Sequence, residues 1–250
     1  MMLKPRYILH SCTDLAALTQ AAADFWLEQA EQAIALRGAF HVALTGGATP
    51  QPLYRLLASP ERANRIDWSA VHIYIGDERY VPHDHPDSNY GMAMDCLLQH
   101  INIPAENLHP VPTDDAQAEQ AAARYAAELA QQVPTNAAAL PQFDLIMLGM
   151  GDDGHTASLF PDTDILQEQN KTVAAVYVDK LASWRVSMTY PCLNQARQIM
   201  VLISGDKKAG ILAHIMKEGS EAIYPIQGVK PLGEMHWFVD QAAASLIAVA

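Results

Sequence analysis

The sequence alternates short apolar, β-rich runs with stretches of helical character, and this alternation limits the folds that the chain can form. Strands are predicted at 7–9, 41–44, 71–75, 143–148, 173–178, 198–203 and 236–239. Helices are predicted at 13–37, 50–57, 89–99, 115–132 and 206–217. Near-continuous apolar strands between helices indicate a mostly parallel sheet. The predicted fold class is therefore α/β, with helices on both faces of the sheet.

The length and apolar content of the chain suit one sizeable core. The sequence has 250 residues, and half of them are hydrophobic, which is enough to bury a large apolar interior. It contains neither an internal repeat nor a long flexible linker, so we expect a single domain over residues 1–250. The longest predicted helix has Thr13 as its N-cap and Gly38 just past its end.

The charge of the chain restricts its partners. The formal net charge is −12, whereas binding of a nucleic-acid backbone requires a basic face, so we expect no nucleic-acid partner. No apolar run approaches the roughly 20 residues of a membrane helix, and Met1 to His10 lack a signal-peptide pattern. We therefore expect no membrane association. Three widely spaced cysteines without a C-x-x-C pair are typical of a reducing compartment, which predicts a cytoplasmic location.

Glycine-rich or charged loops follow several predicted strands, and ligands of such sheets bind beyond the carboxyl ends of the strands. The first loop is TGGATP at 45–50. Its glycines let backbone N–H groups approach an anion, and Pro50 suits the first helical position after Thr49 as cap. A tight turn that binds nothing is the alternative. The candidate phosphate-binding residues of this loop are Thr45, Gly46, Gly47 and Thr49.

The second loop, GDERYVP at 76–82, carries an arginine at the end of a strand. A guanidinium offers phosphate a fork of donors, which favours Arg79 as a phosphate ligand. A structural ion pair of Arg79 with Asp77 or Glu78 is the alternative. Ser88, farther along this segment, also fits the N-cap of the next helix. The candidate substrate-binding residues here are Asp77, Arg79, Ser88 and Asn89.

The third loop, GMGDDGHTASLFP at 149–161, places a histidine among glycines and small residues directly after a strand. Imidazole is mostly neutral at pH 7 and can accept a proton from water, so His155 is the candidate general base. Asp153 can accept the other ring N–H and fix the tautomer. A turn histidine bonded to backbone is the alternative. Ser158 lacks the G-x-S-x-G elbow that would expose a nucleophile.

Two further segments contribute basic residues, RVSMT at 185–189 and SGDKK at 204–208. Arg185 and Lys208 are candidate phosphate ligands only in combination with the other three loops, because each of them alone is typical of a charged surface residue. His83 and His85 lie in a polar loop without zinc spacing or a supporting ligand, so no metal site is predicted.

Together these motifs resemble the 6-phosphogluconolactonase family, within the wider group of glucosamine-6-phosphate deaminases and ribose-5-phosphate isomerases. The resemblance spans about residues 41–212. The motif GDER-x-VP followed by SN, and the motif G-x-G-x-DGH-x-ASLFP, are long and specific. TGGATP has Thr45 and Ala48 where the family usually has serines, and RVSMT varies conservatively on the family pattern.

The resemblance implies a modified Rossmann-like sheet and hydrolysis of 6-phospho-D-glucono-1,5-lactone to 6-phospho-D-gluconate, a step of the oxidative pentose phosphate pathway. It also implies that the partner is a small sugar phosphate lactone and that no cofactor is required. Transferred to this sequence, it makes His155 the general base and places Arg79, Arg185 and Lys208 around the phosphate or the developing charge.

Two other functions stay open at this point. A glucosamine-6-phosphate deaminase shares the DGH element, but it usually carries a glutamate after it and a tyrosine in place of Arg79. A sugar-phosphate sensor without catalytic activity usually carries a DNA-binding module, and only about 40 residues precede the first loop. The sequence leaves the oligomeric state open and is compatible with a monomer.

Overall fold

The computed structural model describes residues 6–217 and 220–247. The strands in these ranges are β1 Arg6–Cys12, β2 Phe40–Leu44, β3 Val71–Ile75, β4 Asp77–Arg79, β5 Leu108–His109, β6 Leu145–Gly149, β7 Val173–Val178, β8 Ser183–Met188, β9 Gln198–Ile203 and β10 Glu234–Asp240. One seven-stranded sheet has the order β1-β10-β9-β6-β2-β3-β5, and each neighbouring pair in it is parallel. The predicted α/β fold is confirmed.

The helices of the described residues connect these strands. They are α1 Leu15–Arg37, α2 Gln51–Leu57, α3 Pro60–Ala63, α4 Asn89–Cys96, α5 Ala118–Gln132, α6 Tyr190–Leu193 and α7 Ala209–Met216. Short 3₁₀ turns lie at Trp68–Ala70, Leu98–His100, Ala105–Asn107, Asp164–Gln167, Asp179–Leu181, Asp206–Lys208 and Pro225–Gly228. The helices predicted over 89–99 and 206–217 each consist of an α-helix and a 3₁₀ turn.

The longest helix, α1, begins one residue later than predicted. Asp14, and not Thr13, is its N-cap, because the Asp14 carboxylate accepts the Ala17 N–H at 2.8 Å. Gly38 ends the helix in the left-handed region with φ of +82°, and its N–H donates to the Ile34 carbonyl. α1 packs against β1, β2 and β10. None of the helices in the described ranges has the length and apolar character that crossing a bilayer requires.

The central strands are buried on both faces. All five residues of β2 are buried, as are nearly all residues of β3, β6, β9 and β10. Since consecutive strand residues point to opposite faces, a continuous run of buried residues means that both faces are covered. The apolar runs of the sequence are therefore explained by burial on two sides.

A second, three-stranded sheet is antiparallel and has the order β4-β8-β7. The sequence predicted β7 at its observed bounds, but as part of the parallel sheet, and this placement is wrong. The chain leaves the parallel sheet at Gly76, and β4 then pairs with β8. In that pairing Arg79 lies directly opposite Arg185. The small sheet thus brings two arginines that are distant in sequence to adjacent positions.

Two buried tyrosines hold the carboxyl ends of β2 and β3. The Tyr54 hydroxyl donates to the Thr45 carbonyl at 2.8 Å and accepts the Thr45 N–H at 3.0 Å. The Tyr125 hydroxyl makes the same pair of bonds to the backbone of Ile75, both at 3.0 Å. Each hydroxyl satisfies backbone groups that leave the ladder at the end of a strand. The loops that follow β2 and β3 therefore start from fixed positions.

Candidate active site

A cavity of about 250 Å³ lies at the carboxyl ends of β2, β6 and β9. It also reaches β4 and β8 of the small sheet, so both sheets contribute to its walls. The predicted site residues that line it are Thr45, Gly46, Gly47, Thr49, Asp77, Arg79, Asn89, His155, Arg185 and Lys208. Asp153 and Ser88 do not line it, and their places are described below.

The glycine loop packs directly on a buried asparagine. Asn89 is only 3% exposed, and its Nδ2 donates to the Asp77 carbonyl at 2.7 Å. This bond turns the buried Oδ1 toward Gly46, where the Cβ of any other residue would lie only 1.9 Å from it. Gly46 is therefore required for close approach, and Gly47 for its positive φ of +94°. Asn89 thereby defines the position of the loop.

The helix after this loop does not begin as predicted. α2 starts at Gln51, and Pro50, which adopts a helical conformation, occupies its N-terminal boundary. No side chain caps the helix, so Thr49 is not the N-cap. Thr49 lines the cavity instead.

Ser88 belongs to the start of α4 and not to the cavity wall. Its hydroxyl accepts the Gly91 N–H and donates to Glu78 Oε2, both at 3.0 Å. Glu78 is fully buried and also accepts the backbone N–H groups of Asn89 and Tyr90. Burial raises the pKa of Glu78, and these hydrogen bonds oppose that effect. The Ser88–Glu78 pair thus fixes α4 to β4.

Arg79 and Arg185 face each other across β4 and β8. Among the ion pairs of residues 6–217 and 220–247, none involves either guanidinium, because Glu78 binds the start of α4 and Asp77 binds Ser158. Arg79 Nη1 donates to the Asp87 carbonyl at 2.6 Å, while the buried Nε of each arginine has no hydrogen-bond partner in the described chain. Burial and, next, the charge of Arg79 lower the pKa of Arg185. The two like charges form a local cationic site.

His155 is held by contacts on two sides. Its Nδ1 lies 2.5 Å from Asp153 Oδ1, which assigns the proton to Nδ1 and leaves Nε2 as the basic nitrogen. The imidazole stacks on Phe160, with ring centroids 4.0 Å apart. A Cβ on Gly151 would lie 2.0 Å from the same ring, so only glycine fits there. Tautomer and orientation of the imidazole are thereby set.

Asp153 stays ionised beside this imidazole. Burial alone would raise its pKa, but hydrogen bonds from Lys180 and from His155 outweigh burial and hold the pKa well below its ordinary range.

Lys208, which lines the cavity, forms an ion pair with Asp152. No group of three or more His, Cys, Asp or Glu side chains suited to a metal occurs in the part of the chain that the structure describes.

Comparisons with known proteins identify the family of this chain. A family model described as glucosamine-6-phosphate isomerases/6-phosphogluconolactonase matches residues 13–237. The chain belongs to this family. A 6-phosphogluconolactonase of a Nostoc species is 38% identical over 94% of this chain and 96% of its own length. One from a Synechocystis species is 43% identical over 85% of this chain and 86% of its own length.

Solved structures of the family share the fold. The 6-phosphogluconolactonase of Trypanosoma brucei has a TM-score of 0.86 and 28% identity, covering 99% of this chain and 100% of its own. A monomeric glucosamine-6-phosphate deaminase has a TM-score of 0.77 at 19% identity, with 95% and 99% of the two chains covered. The latter similarity concerns the fold alone.

Some residues around the site of this family member were not predicted from the sequence. Ser158 is fully buried, and its hydroxyl donates to Asp77 Oδ2 at 2.6 Å, so it ties the histidine loop to β4. Phe160 lies within the motif of the third loop, but nothing in the sequence indicates that it stacks on the imidazole. Nothing in the sequence around Lys180 indicates its ion pair with Asp153, because this contact depends on how the two sheets pack against each other.

Proposed function

We propose that this chain hydrolyses 6-phospho-D-glucono-1,5-lactone to 6-phospho-D-gluconate, a step of the oxidative pentose phosphate pathway, with His155 as general base. Relatives that are 35–43% identical over most of the chain are 6-phosphogluconolactonases. The observation that carries the mechanism is one cavity that contains both an oriented imidazole and a pair of opposed arginines.

The arginine pair is the proposed site of the substrate phosphate. Like charges directly opposite each other on antiparallel strands destabilise a sheet, and a bound dianion removes that repulsion. Guanidinium groups donate two hydrogen bonds to phosphate in a fixed geometry, which orients the anion as well as binding it. Lys208 adds a third positive charge to the wall of the cavity. Although the chain carries a net charge of −12, these three cations line one cavity and can bind an anion there.

The imidazole is the proposed site of proton transfer. Nε2 of His155 accepts a proton from a water molecule while the water oxygen forms a bond to the lactone carbonyl carbon. The tetrahedral intermediate then breaks its bond to the ring oxygen, which takes up the proton from the imidazolium, and the acid product ionises. General-base assistance of this kind typically contributes about 10²- to 10⁴-fold to the rate.

The negative charge that develops on the carbonyl oxygen requires donors in the same cavity. The candidates are the backbone N–H groups of Gly46 and Gly47, which approach the cavity without side chains, and the ammonium of Lys208. A single donor to such an oxyanion contributes about 10²- to 10³-fold.

A direct assay tests the proposal. The lactone is generated freshly, its product is coupled to 6-phosphogluconate dehydrogenase, and the rate is compared with spontaneous hydrolysis. We expect a rate proportional to enzyme and far above the background. A rate equal to the background, together with binding of 6-phosphogluconate, would identify a sensor. Release of ammonia from glucosamine 6-phosphate instead of lactone hydrolysis would identify a deaminase.

A further inference from the structure

The turn between β7 and β8 carries a lysine that reaches the histidine loop of the parallel sheet. Lys180 lies in the 3₁₀ turn Asp179–Leu181, and its ammonium forms an ion pair with Asp153 Oδ2. The other oxygen of Asp153 lies 2.5 Å from Nδ1 of His155. One carboxylate is therefore shared between an imidazole and an ammonium.

Phe160 contacts both groups that Asp153 binds. The His155 imidazole stacks on its ring, and Nζ of Lys180 lies 4.7 Å from the centroid of the same ring. Such a position over an aromatic ring attracts a cation. Lys180 also lines a second hollow, which adjoins the main cavity and shares Arg79 and His155 with it. The ammonium thus occupies a defined place at the edge of the site, although its side chain is half exposed.

The charges around the imidazole explain why an ammonium at this place matters. A carboxylate bonded to imidazole favours the imidazolium, which cannot accept a proton from water. On the histidine loop the negative groups are Asp152 and Asp153, and Asp77 of β4 lines the same cavity. The positive groups come from other elements and are Arg79 of β4, Lys180, Arg185 of β8, and Lys208 before α7.

Substrate binding changes this balance. In the proposed complex the phosphate offsets the charges of Arg79 and Arg185, whereas Lys180 is paired with Asp153 and Lys208 with Asp152. The ammonium of Lys180 therefore continues to oppose protonation of His155 in the enzyme–substrate complex, where the base is needed.

We propose that Lys180 is a positioning residue for the reaction. Its ammonium orients the Asp153 carboxylate and keeps the His155 imidazole in the neutral, proton-accepting form while the phosphate is bound. The proposal rests on the proposed function. In this proposal Lys180 acts through Asp153 and not through a contact of its own with the substrate.

The kinetic test compares three variants over a range of about pH 5 to 8.5. Lys180→Met removes the charge at similar length, Lys180→Arg keeps the charge, and Lys230→Met removes the charge of an exposed lysine that lines neither hollow. For Lys180→Met we expect the acidic limb of kcat to move up by about 0.5 to 1 pH unit, because a unit charge several ångströms away is lost. KM at the alkaline end changes less than about twofold, and the other two variants follow the wild type.

A second measurement needs no turnover. The imidazole resonance of His155, assigned by its loss in His155→Asn, is titrated by NMR in the wild type and in Lys180→Met, with and without inorganic phosphate. We expect a higher titration midpoint in Lys180→Met than in the wild type, both with and without phosphate. Absence of lactonase activity in the wild type refutes the proposed function but leaves this titration decisive. An unmoved midpoint and an unmoved acidic limb, or an equal loss of kcat at every pH, overturns the role of Lys180.

Discussion

Asn89 and Asp153 show how single buried or half-buried side chains set the geometry of the cavity. Asn89 uses its amide nitrogen on the Asp77 carbonyl, which leaves its oxygen against Gly46. Asp153 uses one oxygen on His155 and the other on Lys180. In both cases one polar atom of the side chain is bound by a second residue, and this contact fixes the direction of the other polar atom. The His155 imidazole is therefore oriented in the protein without a bound substrate.

Replacement of His155 by alanine tests the proposed base. We expect kcat to fall at least tenfold, toward the factor of about 10² to 10⁴ typical of general-base catalysis, with KM changed less than about threefold. The phosphate contacts are retained, which explains the small effect on KM. Steady-state kinetics with fresh lactone measure both constants.

His85→Ala is the matched control, since His85 is exposed and lies outside the cavity. It should behave as the wild type. Unchanged turnover in His155→Ala would remove the imidazole from the mechanism.

At the level of secondary structure, the small antiparallel sheet and the parallel sheet supply different parts of the site. The pairing of β4 with β8 places Arg79 opposite Arg185. The repulsion between the two guanidinium groups destabilises the folded state, which a neutral pair would not do. The loops after β2 and β6 supply the glycines and the histidine. Ser158 connects the two sheets through its bond to Asp77.

Replacement of Arg185 by methionine tests the opposed pair. We expect KM to rise about 10- to 100-fold, because charge-assisted hydrogen bonds to phosphate are lost, while kcat changes much less. Without phosphate, the Tm of the variant should equal or exceed that of the wild type, because the repulsion is removed. Kinetics and thermal unfolding with and without phosphate measure these effects.

The matched control is Arg55→Met, since Arg55 lies on the exposed side of α2. An unchanged KM in Arg185→Met contradicts the assignment of the phosphate site.

Replacement of Tyr54 by phenylalanine tests the anchoring of the glycine loop. The Thr45 N–H and carbonyl lose their shared partner in a buried position, so we expect a loss of about 1 to 3 kcal/mol in the free energy of unfolding. We also expect a lower kcat/KM, because Gly46 follows directly. Urea unfolding and kinetics are the measurements, and Tyr177→Phe, at an exposed tyrosine, is the control. Equal stability of both variants would show that water replaces the hydroxyl.

On the scale of the whole molecule, a row of histidines crosses the parallel sheet away from the site. His41 stacks on His72, and Nδ1 of His72 lies 3.2 Å from Nε2 of His109. Burial, and then the neighbouring His72 and His109, lower the pKa of His41 from its ordinary value of 6.5 to about 4. The folded protein therefore binds a proton at His41 less readily than the unfolded chain does.

This difference predicts a loss of stability in mild acid. The contribution of His41 to the free energy of unfolding is constant above about pH 6.5. It is lost progressively as the pH falls from 6.5 to 4, because the unfolded chain takes up the proton first. Urea unfolding at pH 7 and pH 5 measures it. His41→Asn, which does not titrate, should lose less stability between the two pH values than the wild type. An equal loss would assign the acid sensitivity to other groups.

The sequence predicted much of the fold because the parallel strands are buried on both faces. The apolar runs 71–75 and 198–203 coincide with β3 and β9. By contrast, β4 is a charged segment, Asp77–Arg79, that becomes a strand only by pairing with β8. No local pattern encodes a pairing over such a distance. The start of α1 differed from prediction because Thr13 and Asp14 both suit an N-cap, and only the backbone geometry distinguishes them.

The candidate site could be predicted to the extent that its residues lie in loops after parallel strands. Loops of that kind meet at one edge of a sheet, and six of the ten candidate residues that line the cavity follow β2, β6 or β9: Thr45, Gly46, Gly47, Thr49, His155 and Lys208. Arg185, by contrast, lies in β8 of the antiparallel sheet and reaches the cavity only through the pairing of β8 with β4. Ser88 was predicted as a substrate ligand, because a serine hydroxyl can bind a sugar as well as cap a helix. In the structure it is the N-cap of α4 and does not line the cavity. Lys180 was missed, because it lies in a turn of the small sheet, whereas its partner Asp153 lies in a loop that follows β6 of the parallel sheet.

The division of the site between two sheets has a consequence for selectivity. In the proposed function the arginine pair of the small sheet holds the phosphate, and the imidazole belongs to a loop of the parallel sheet. The span between them then depends on how the two sheets pack. We therefore expect a phosphorylated lactone one carbon shorter to be hydrolysed with a lower kcat/KM, because it fits only one of the two ends at a time.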